Sequence, residues 1–597
     1  MLNRYIDGLR KDHDVNRKVL LINPIQLKSE FVNPAIAKKR GYYAYLPTGL
    51  VFLTSVLRSN GYDAKILDLN YEYLKSLNED ATDASWKRIL DRKLDAFKPS
   101  ILLFSCMFDS GKDSYYEVID YISKEKYIKI VGGTHVSGRP QEIVERLDIH
   151  FAIAFEGEER VLFLLNKLLG HREINAMMSH IYFKDNGAAT DTGKEVIYPD
   201  IKYMNVCNGY DDFPVESYNK FGSLNQFSRI IGTDVPFAPI SVTRGCRGRC
   251  TFCSVHSCVG YAIRARDAFV VFSEIEYLYR RGIRTFDFID DDLWAKKENT
   301  VKLLNMIIES DMEIKWYINN GIIASDITND MLKLMVDSGC MGFKVGIESG
   351  NREMLKIIKK PATQEKLLAF SKRTQRHPGL YIAGNYIIGF PNETFGQMLD
   401  TLSFAKEMNL DWASFYICQP IKGAEAFKNR NDEIVDYIPV KSNKNNEIDF
   451  EKISQGLDIF SMNKNQSVDA KQLPEVWFIF NFISNFICNK NLSSCRKDDL
   501  RKFIKWLKAA EILYPFDLGM KLFLYLGYSL FGDVDAARRY FEQTNRLYQD
   551  SVYWQNRFRQ FMLGGFVKTF QSDENEIRKQ LDIIRKRIDT ALSGAAF

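Results

Sequence analysis

The amino-acid sequence predicts an α/β protein in three parts: an N-terminal doubly wound parallel sheet, a partial (β/α)6 TIM-like barrel and a mostly helical C-terminal domain. Three observations support this prediction. Short apolar runs alternate with helical periodicity over residues 18–170, the same alternation resumes over 237–419, and amphipathic helices follow from about residue 428. A chain of 597 residues is also too long for one core, since domains average about 150 residues.

The first part contains five strand candidates separated by helical segments such as GLVFLTSVLRSNG. Continuous apolar strands that alternate with helices indicate a parallel sheet covered on both faces. Five such units form a doubly wound (flavodoxin-like) domain, which binds ligands beyond the carboxyl ends of its strands. The strand candidates are KVLLIN (18–23), DAKILD (63–68), SILLFSC (100–106), YIKIVGG (127–133) and DIHFAIA (148–154).

Residues 176–235 interrupt the alternation, and we interpret them as a connector. The segment IYFKDNGAATDTGKEVIY is typical of a hairpin, with Asp185-Asn186-Gly187 as its turn signal. The sequence therefore predicts a first domain over 1–175, a connector over 176–235, a barrel over 236–425 and a helical domain over 426–597.

Six strands are predicted in the barrel region, which is too few for a closed eight-fold barrel but suits an open one. Its active site would lie at the carboxyl ends of the strands. In the C-terminal part, aromatic residues at helical spacing are expected to form core, and a TPR-like array of paired helices remains an alternative. The strand candidates are APISVTR, RTFDFID, EIKWYIN, MGFKVGI, YIAGNYIIG and WASFYIC.

Composition and charge narrow the class of protein. The formal net charge of +5 comes with no dense Lys/Arg run, so we expect no nucleic acid partner. The N-terminal residues show no secretory signal, and the apolar run VWFIFNFISNFIC (476–488) is too short and too rich in Asn to span a bilayer. We expect this run to be a buried helix. Ten cysteines without an export signal are expected to be thiols in a cytoplasmic protein.

Three of the cysteines fall within eight positions, directly after a predicted strand. The segment TRGCRGRCTFCSVHSC places Cys246, Cys250 and Cys253 as C-x3-C-x2-C. Thiolates bind iron well, and three ligands leave one iron of a four-iron cluster open to a small molecule. On spacing alone a zinc site also remains open, because either His256 or Cys258 could supply a fourth ligand.

Polar groups follow the later strands of the predicted barrel. The second strand ends in Asp290, Asp291 and Asp292, which would repel one another unless some meet cations or hydrogen-bond donors. The fourth strand ends in GIESG, which places Glu348 and Ser349 at the barrel mouth. The fifth strand leads into the turn that begins at Gly389. Helix capping and ordinary turn formation are alternative explanations for each of these features.

The cysteine motif with Phe252, the strand end FIDDDLW, GIESG and IIGFPNE together resemble the radical S-adenosylmethionine (SAM) superfamily over residues 237–420. The resemblance implies that the three cysteines hold a [4Fe–4S] cluster whose open iron binds S-adenosyl-L-methionine. Reductive cleavage of SAM would give a 5′-deoxyadenosyl radical that abstracts hydrogen from a small-molecule substrate. It also implies an external electron donor of the flavodoxin or ferredoxin type. The implied SAM-binding residues are Asp290, Asp291 and Asp292 near the methionyl amine, Glu348 near the ribose or amine, Phe252 and Gly389 near the adenine, and Ser349 beside Glu348.

Three segments of the first part, LPTGLVFLTSVLRSNGYDAKILD, IVGGTHVSG and FEGEER, resemble the cobalamin-binding (B12-binding) domain that precedes many radical SAM barrels. Gly132 and Gly133 would let a bulky planar ligand or its nucleotide tail approach the backbone, and Ser105 could bond such a tail. Thr134 and His135 are candidates for binding a phosphate or acid, or for simple capping. Since Gly133 stands where the cobalamin signature has Asp, we expect no histidine ligand to cobalt.

Together these resemblances imply a cobalamin-dependent radical SAM enzyme. The leading prediction is a methyltransferase that acts on an unactivated carbon of a small molecule or natural-product precursor. A cyclase or rearrangement enzyme with the same cofactors is one alternative, and a zinc-binding scaffold or RNA-binding module is another. Product mass separates the first two, and metal analysis separates both of them from the third.

Overall fold

The computed structural model describes residues 1–79, 84–107, 109–171, 178–195, 198–223, 225–232, 234–428, 462–512, 514 and 517–593. These residues form two compact units. The first unit contains residues 1–247, 253–316 and 421–428, and the second contains residues 248–252, 317–420 and the described residues from 462 onward. The predicted boundary at 175/176 lies outside the described residues, as do residues 429–461 of the predicted helical domain.

The first unit opens with a seven-stranded sheet in the order β2-β1-β3-β4-β5-β6-β7. Its first five strands are parallel, in the flavodoxin-like order 2-1-3-4-5, which confirms the predicted fold class. Within β1, Leu20 and Ile22 pack into the core on one face of the sheet and Val19 and Leu21 into the core on the other. The strands are β1 (Lys18–Asn23), β2 (Asp63–Asp68), β3 (Ile101–Ser105), β4 (Ile128–Gly132) and β5 (Phe151–Ile153).

One helix precedes the first of these strands and others follow each strand, in the segments whose sequence has amphipathic helical periodicity. Helix α3 places the LPTGL segment at its start, and α9 places FEGEER at its start. The helices are α1 (Leu2–Asp12), α2 (Pro34–Lys38), α3 (Thr48–Ser59), α4 (Leu69–Asn78), α5 (Trp86–Phe97), α6 (Lys112–Tyr121), α7 (Thr134–Ser137), α8 (Pro140–Arg146) and α9 (Glu158–Leu168).

The hairpin assigned to the connector belongs instead to the first sheet. Strands β6 (Ile181–Asp185) and β7 (Ala188–Asp191) pair with each other, and β6 pairs antiparallel with β5. Asn186 and Gly187 both have positive φ, 51° and 83°, which gives the tight two-residue turn that the sequence signalled. The sheet gains this hairpin because Ile181, Tyr182 and Phe183 bury their side chains against it.

The rest of the first unit carries the cysteine segment apart from residues 248–252, which belong to the second unit. Strands β8 and β11 pair in parallel, while β9 and β10 pair antiparallel and close the base of the loop formed by residues 245–263. The elements are α10 (Tyr218–Phe221), α11 (Gln226–Ile231), β8 (Phe237–Ile240), β9 (Thr243–Arg244), α12 (Val255–Val259), β10 (Arg264–Ala265), α13 (Ala268–Arg280), β11 (Thr285–Phe288) and α14 (Lys297–Glu309).

The strand–helix alternation continues with β12 and through the second unit, and all six predicted barrel strands occur. Strands β13, β14 and β15 are parallel neighbours, with a register shift between Gly346 and Glu348 in β13. The elements are β12 (Lys315–Ile322), α15 (Asn329–Asp337), β13 (Cys340–Glu348), α16 (Arg352–Ile357), α17 (Gln364–Thr374), β14 (Tyr381–Ile388), α18 (Phe395–Met408) and β15 (Trp412–Ile417).

The described C-terminal residues are helical, as predicted. The apolar run at 476–488 forms a buried helix that continues into a π-helical turn (Ile483–Ile487), and none of the described helices has the length and hydropathy needed to cross a membrane. The helices are α19 (Leu473–Phe482), α20 (Lys490–Ser493), α21 (Lys497–Glu511), α22 (Leu518–Phe531), α23 (Val534–Gln549), α24 (Val552–Gln560), α25 (Gly564–Lys568) and α26 (Glu574–Ser593).

Asparagines in this apolar helix complete the hydrogen bonding of strand β15, which lies at the edge of its sheet. The Asn485 amide accepts from the Ala413 N–H at 2.7 Å and donates to the Ala413 carbonyl at 2.6 Å. One turn earlier, Asn481 makes the same pair of bonds with Phe415 at 3.1 and 3.2 Å. Side-chain amides therefore satisfy an edge that would otherwise present unpaired backbone groups.

Candidate functional site

A cavity of about 310 Å³ lies in the first unit, at the carboxyl ends of β3, β4 and β5. Its lining is mostly apolar, with contributions from Leu50, Leu103, Ile130 and Val161. Parallel sheets of this topology bind ligands at this edge. The lining includes five residues that the sequence predicted as cofactor-binding: Ser105, Gly132, Gly133, Thr134 and Asp291.

At Gly132 and Gly133 the cavity is lined by backbone atoms without side chains. Gly133 has φ +101°, and a Cβ on it would lie 2.3 Å from the carbonyl oxygen of Cys106. A Cβ on Gly132 would meet nothing closer than the Ile153 carbonyl at 3.7 Å. Only glycine is therefore tolerated at Gly133, and the absence of side chains suits the close approach of a bulky planar ligand.

His135 lies beside this loop but points into the core of the first domain. Its side chain is fully buried, with Nε2 2.7 Å from the Tyr116 hydroxyl and Nδ1 2.5 Å from an Asp109 oxygen. The same Asp109 also accepts from Arg139. Both ring nitrogens thus have protein partners, and His135 is not among the residues that line the cavity. Its placement favours a structural role over the predicted contact with a cofactor.

The structure gives the three consecutive aspartates three different environments. Asp290 is buried, and its Oδ1 accepts bonds from the backbone of Val242 at 3.0 Å and from the backbone and hydroxyl of Thr243, the latter at 2.7 Å. Burial raises its pKa to about 7. Asp292 binds the guanidinium of Arg247 through both of its oxygens, at 2.7 and 3.1 Å. These two acids therefore join the start of β9 and the cysteine loop to the residues that follow β11.

Asp291 is the acid of this set that lines the cavity. Burial and the neighbouring charge of Asp292 raise the pKa of Asp291 to about 6, while His256 lowers it slightly. The capping alternative does not apply to Asp292, whose side chain makes no cap hydrogen bond to the helical turn that follows it. Of the three, Asp291 is thus the carboxylate available to a ligand in the cavity.

The cysteine loop begins at a position that only glycine can occupy. Gly245 has φ +93°, and a Cβ there would lie 2.8 Å from the Ala262 carbonyl across the loop base. The three cysteines of the motif are all half-buried. Within the described ranges, no group of three or more His, Cys, Asp or Glu side chains has metal-binding geometry. The assignment of Cys246, Cys250 and Cys253 as cluster ligands stays a prediction from their spacing.

The two residues that the sequence offers as a fourth ligand in a zinc site lie on helix α12. His256 stacks on Tyr261 with ring centroids 4.5 Å apart, and its Nδ1 lies 3.2 Å from the Gly260 carbonyl. Cys258 lines the cavity of the first unit, and burial raises the pKa of its thiol. A raised pKa favours the neutral thiol over the thiolate that binds metals.

In the second unit, two predicted adenine-binding elements come together. The ring of Phe252 lies 5.5 Å from the ring of Phe390, which follows Gly389. Gly389 has φ +79°, and its N–H and that of Phe390 both donate to one oxygen of Glu393, at 2.7 and 3.1 Å. Burial raises the pKa of Glu393 to about 8. The sequence did not assign Glu393 a role, although it closes the quoted IIGFPNE segment.

Glu348 and Ser349 are held by neighbours within the second unit. Glu348 has φ +68° and pairs with Lys360 at 2.9 Å, and a Cβ on Gly346 would clash with both side-chain ends. Ser349 is fully buried, with its hydroxyl 3.2 Å from that of Thr401. Lys360 was not predicted, because twelve residues separate it from its partner. Ser349 serves the turn itself, and its predicted contact with a cofactor stays a prediction.

Comparison with known proteins defines the class. Residues 36–164 match the B12 binding domain, and residues 240–405 match the radical SAM superfamily. A B12-binding domain therefore precedes a radical SAM domain in this chain, which confirms the family predicted from the sequence motifs.

Individual relatives agree with this class. The chain is 26% identical over 387 residues to the uncharacterised methyltransferase PH0819 of Pyrococcus horikoshii, covering 64% of this chain and 78% of the relative. The radical SAM methyltransferase TsrM of Kitasatospora setae, solved with cobalamin and a [4Fe-4S] cluster, has a TM-score of 0.54 at 18% identity over 69% of this chain and 74% of TsrM. The cobalamin-dependent SAM radical enzyme OxsB, solved with aqua-cobalamin and SAM, has a TM-score of 0.55 at 14% identity over 98% and 85% of the two chains. At these identities the two structures establish a shared fold.

Proposed function

We propose that this protein is a cobalamin-dependent radical SAM methyltransferase that acts on an unactivated carbon of a small molecule. The observation that carries the proposal is the cavity of the first unit. One wall consists of the strand ends Ser105 and Gly132–Gly133, and another carries Asp291 from the end of β11. A corrinoid held by the first wall would face the strand end where the family binds SAM. The names of PH0819 and TsrM support methyl transfer as the outcome.

The residues of the first wall fit a cobalamin. Gly132 and Gly133 present backbone to a planar ring system, and Ser105 and Thr134 present hydroxyl groups at its edge. The apolar walls exclude water from whatever part of the ligand enters between them. Both ring nitrogens of His135 are bound to Tyr116 and Asp109, which supports the expectation that this histidine does not coordinate the cobalt.

The remaining site residues would serve the cluster and SAM. Cys246, Cys250 and Cys253 would hold the cluster, and the carboxylate of Asp291 would pair with the cationic methionyl amine. Such a cation would lower the pKa of Asp291 from its raised value and keep it ionised near neutral pH. When bound, the cluster and SAM supply a carbon-centred radical, and cobalamin carries the methyl group.

Metal analysis of anaerobically prepared protein tests the cofactor set. We expect brown protein with about four irons per chain and bound cobalt. The variant Cys253→Ala should lose iron, while the matched variant Cys258→Ala should retain it, because Cys258 lines the cavity instead of completing a four-ligand site. Colourless protein with one zinc, or iron loss in Cys258→Ala, would contradict the proposal.

Product analysis tests the reaction. The holoenzyme would be incubated with a reductant, SAM carrying a deuterated methyl group, and small-molecule extracts. We expect 5′-deoxyadenosine, S-adenosylhomocysteine and a small molecule that has gained one labelled methyl group. Formation of 5′-deoxyadenosine with an altered but unlabelled product would instead favour a cyclase or rearrangement enzyme.

We also propose that a flavodoxin- or ferredoxin-like protein supplies the electron, and that the enzyme works in the reducing cytoplasm. The ten cysteines and the proposed cluster support both statements, since such centres need a low potential. Support of 5′-deoxyadenosine formation by a purified flavodoxin and its reductase is the corresponding test.

A further inference from the structure

The loop that carries the cysteine motif has a narrow neck. Strands β9 and β10 pair antiparallel, with Arg244 opposite Arg264, and residues 245–263 lie between these two arginines. Arg244 precedes the first cysteine of the motif by two positions. A group that binds both arginines therefore fixes the two ends of the cysteine loop.

One carboxylate of the first domain binds both arginines. Oε1 of Glu156 accepts from Arg244 at 2.8 Å and from Arg264 at 3.0 Å, and Oε2 accepts from Arg264 at 2.5 Å. Glu158 adds a second acceptor for Arg244 at 2.7 Å. Charged, multidentate bonds of this kind are stronger than neutral ones and fix geometry as well as proximity.

The group is mostly shielded from solvent, and its two positive and two negative charges balance. The side chains of Arg244, Arg264, Glu156 and Glu158 are 15%, 13%, 9% and 6% exposed. Although burial opposes ionisation of Glu158, the charge of Arg244 outweighs it and lowers the pKa of Glu158. Removing one member would leave a buried charge without its partner, which is far more costly than loss of a surface pair.

Glu156 is also tied to the floor of the cavity. Glu156 and Glu158 line the cavity, as does Arg244. Ser137, another lining residue, donates to the Gly133 carbonyl at 3.0 Å and accepts from the Phe155 N–H at 2.9 Å. Phe155 has φ +63°, an unusual value for an aromatic residue, and this conformation aims the next residue at the neck.

A continuous path of bonds thus runs from Gly133 through Ser137 and Phe155 to Glu156 and on to the neck of the cysteine loop. We propose that Glu156 is a positioning residue that couples the two cofactor sites, so that filling the cavity with cobalamin and assembling the cluster favour each other. This inference rests on the proposed function. By reciprocity, each event must strengthen the other by the same factor.

The test measures the dissociation constant of hydroxocobalamin for the full-length protein, once with the reconstituted cluster and once after removal of iron by a chelator. In the unaltered protein we expect binding to be at least about fivefold tighter with the cluster present. In Glu156→Gln that ratio should fall to near one. Arg264→Met, which keeps the Arg244 contact, should give an intermediate ratio.

The matched control is Glu159→Gln, because Glu159 is an exposed acid of the same segment, three positions from Glu156. It should keep the ratio of the unaltered protein. If Glu156→Gln still binds both cofactors and keeps the full ratio, or if the unaltered protein binds both with a ratio of one, the coupling is overturned while the proposed function stands. Failure of the unaltered protein to bind cobalamin or iron at all would overturn both.

Discussion

Replacement of Asn485 by alanine should open the edge of strand β15. Asn485 is completely buried in the π-helical turn after α19, and its amide makes two short bonds to the backbone of Ala413. Alanine removes both bonds and leaves one N–H and one carbonyl of β15 buried without a partner. The local structure should therefore be destabilised although no residue of the proposed active site has changed.

The magnitude follows from the two orphaned groups. An unsatisfied buried donor or acceptor costs about 1–3 kcal/mol, so the pair predicts a loss of about 2–6 kcal/mol in the free energy of opening this edge. Loss of side-chain volume adds a smaller packing cost. Even a loss of about 2 kcal/mol increases the population of molecules with an open β15 edge about thirtyfold.

Hydrogen exchange read by mass spectrometry is the suitable assay, because it reports opening of peptides that cover residues 411–417 without requiring two-state unfolding of the whole chain. Asn485→Leu separates the causes: it refills the volume but cannot hydrogen-bond, so it should exchange as fast as the alanine variant. Ser484→Ala is the matched control, since the buried Ser484 hydroxyl has no hydrogen-bond partner among the described residues. Restored protection in Asn485→Leu would refute the hydrogen-bond argument.

Three further predictions concern the site. Gly133→Ala should weaken cobalamin binding at least about tenfold, since its Cβ would overlap a backbone carbonyl, whereas Gly132→Ala should have a smaller effect in the same titration. Arg247→Met should lower the free energy of unfolding by about 2 kcal/mol, because the buried Asp292 loses both bonds to the guanidinium and keeps the weaker bond from the backbone N–H of residue 247. Denaturant titration measures this loss. Glu393, whose pKa is raised to about 8 from an ordinary 4.5, should make stability fall as pH rises between these values, by about 1.4 kcal/mol per unit at most, because the folded state holds the proton more tightly. Glu393→Gln should remove this slope and keep the turn.

Each of these predictions has a contrary outcome. Cobalamin affinity that is unchanged from the unaltered protein in both glycine variants would mean that the ligand does not approach the backbone at this loop. Unchanged stability in Arg247→Met would mean that Asp292 finds another donor. A Glu393→Gln variant with the original pH dependence of unfolding would assign that dependence to another group.

The sequence by itself determined the elements and the chemistry of the motif. The strands of the first sheet and of the barrel region lie where continuous apolar runs occur, because such runs can only be buried on both faces of a covered parallel sheet. The spacing of Cys246, Cys250 and Cys253 within one loop likewise needs no tertiary information. The Asn186-Gly187 turn was read correctly for the same reason, since its dihedral angles are local.

Only the tertiary structure decided what each polar group binds. Asp290, Asp291 and Asp292 are equivalent in sequence, yet the first bonds the start of β9, the second lines the cavity and the third pairs with Arg247. The hairpin at 181–191 joined the first sheet because an apolar strand pairs with the nearest open edge, which sequence separation does not reveal. Glu156 meets Arg264 across 108 positions. Partners of buried charges and amides are selected by proximity in the folded chain, and periodicity in the sequence records which face of an element is buried but not what lies opposite.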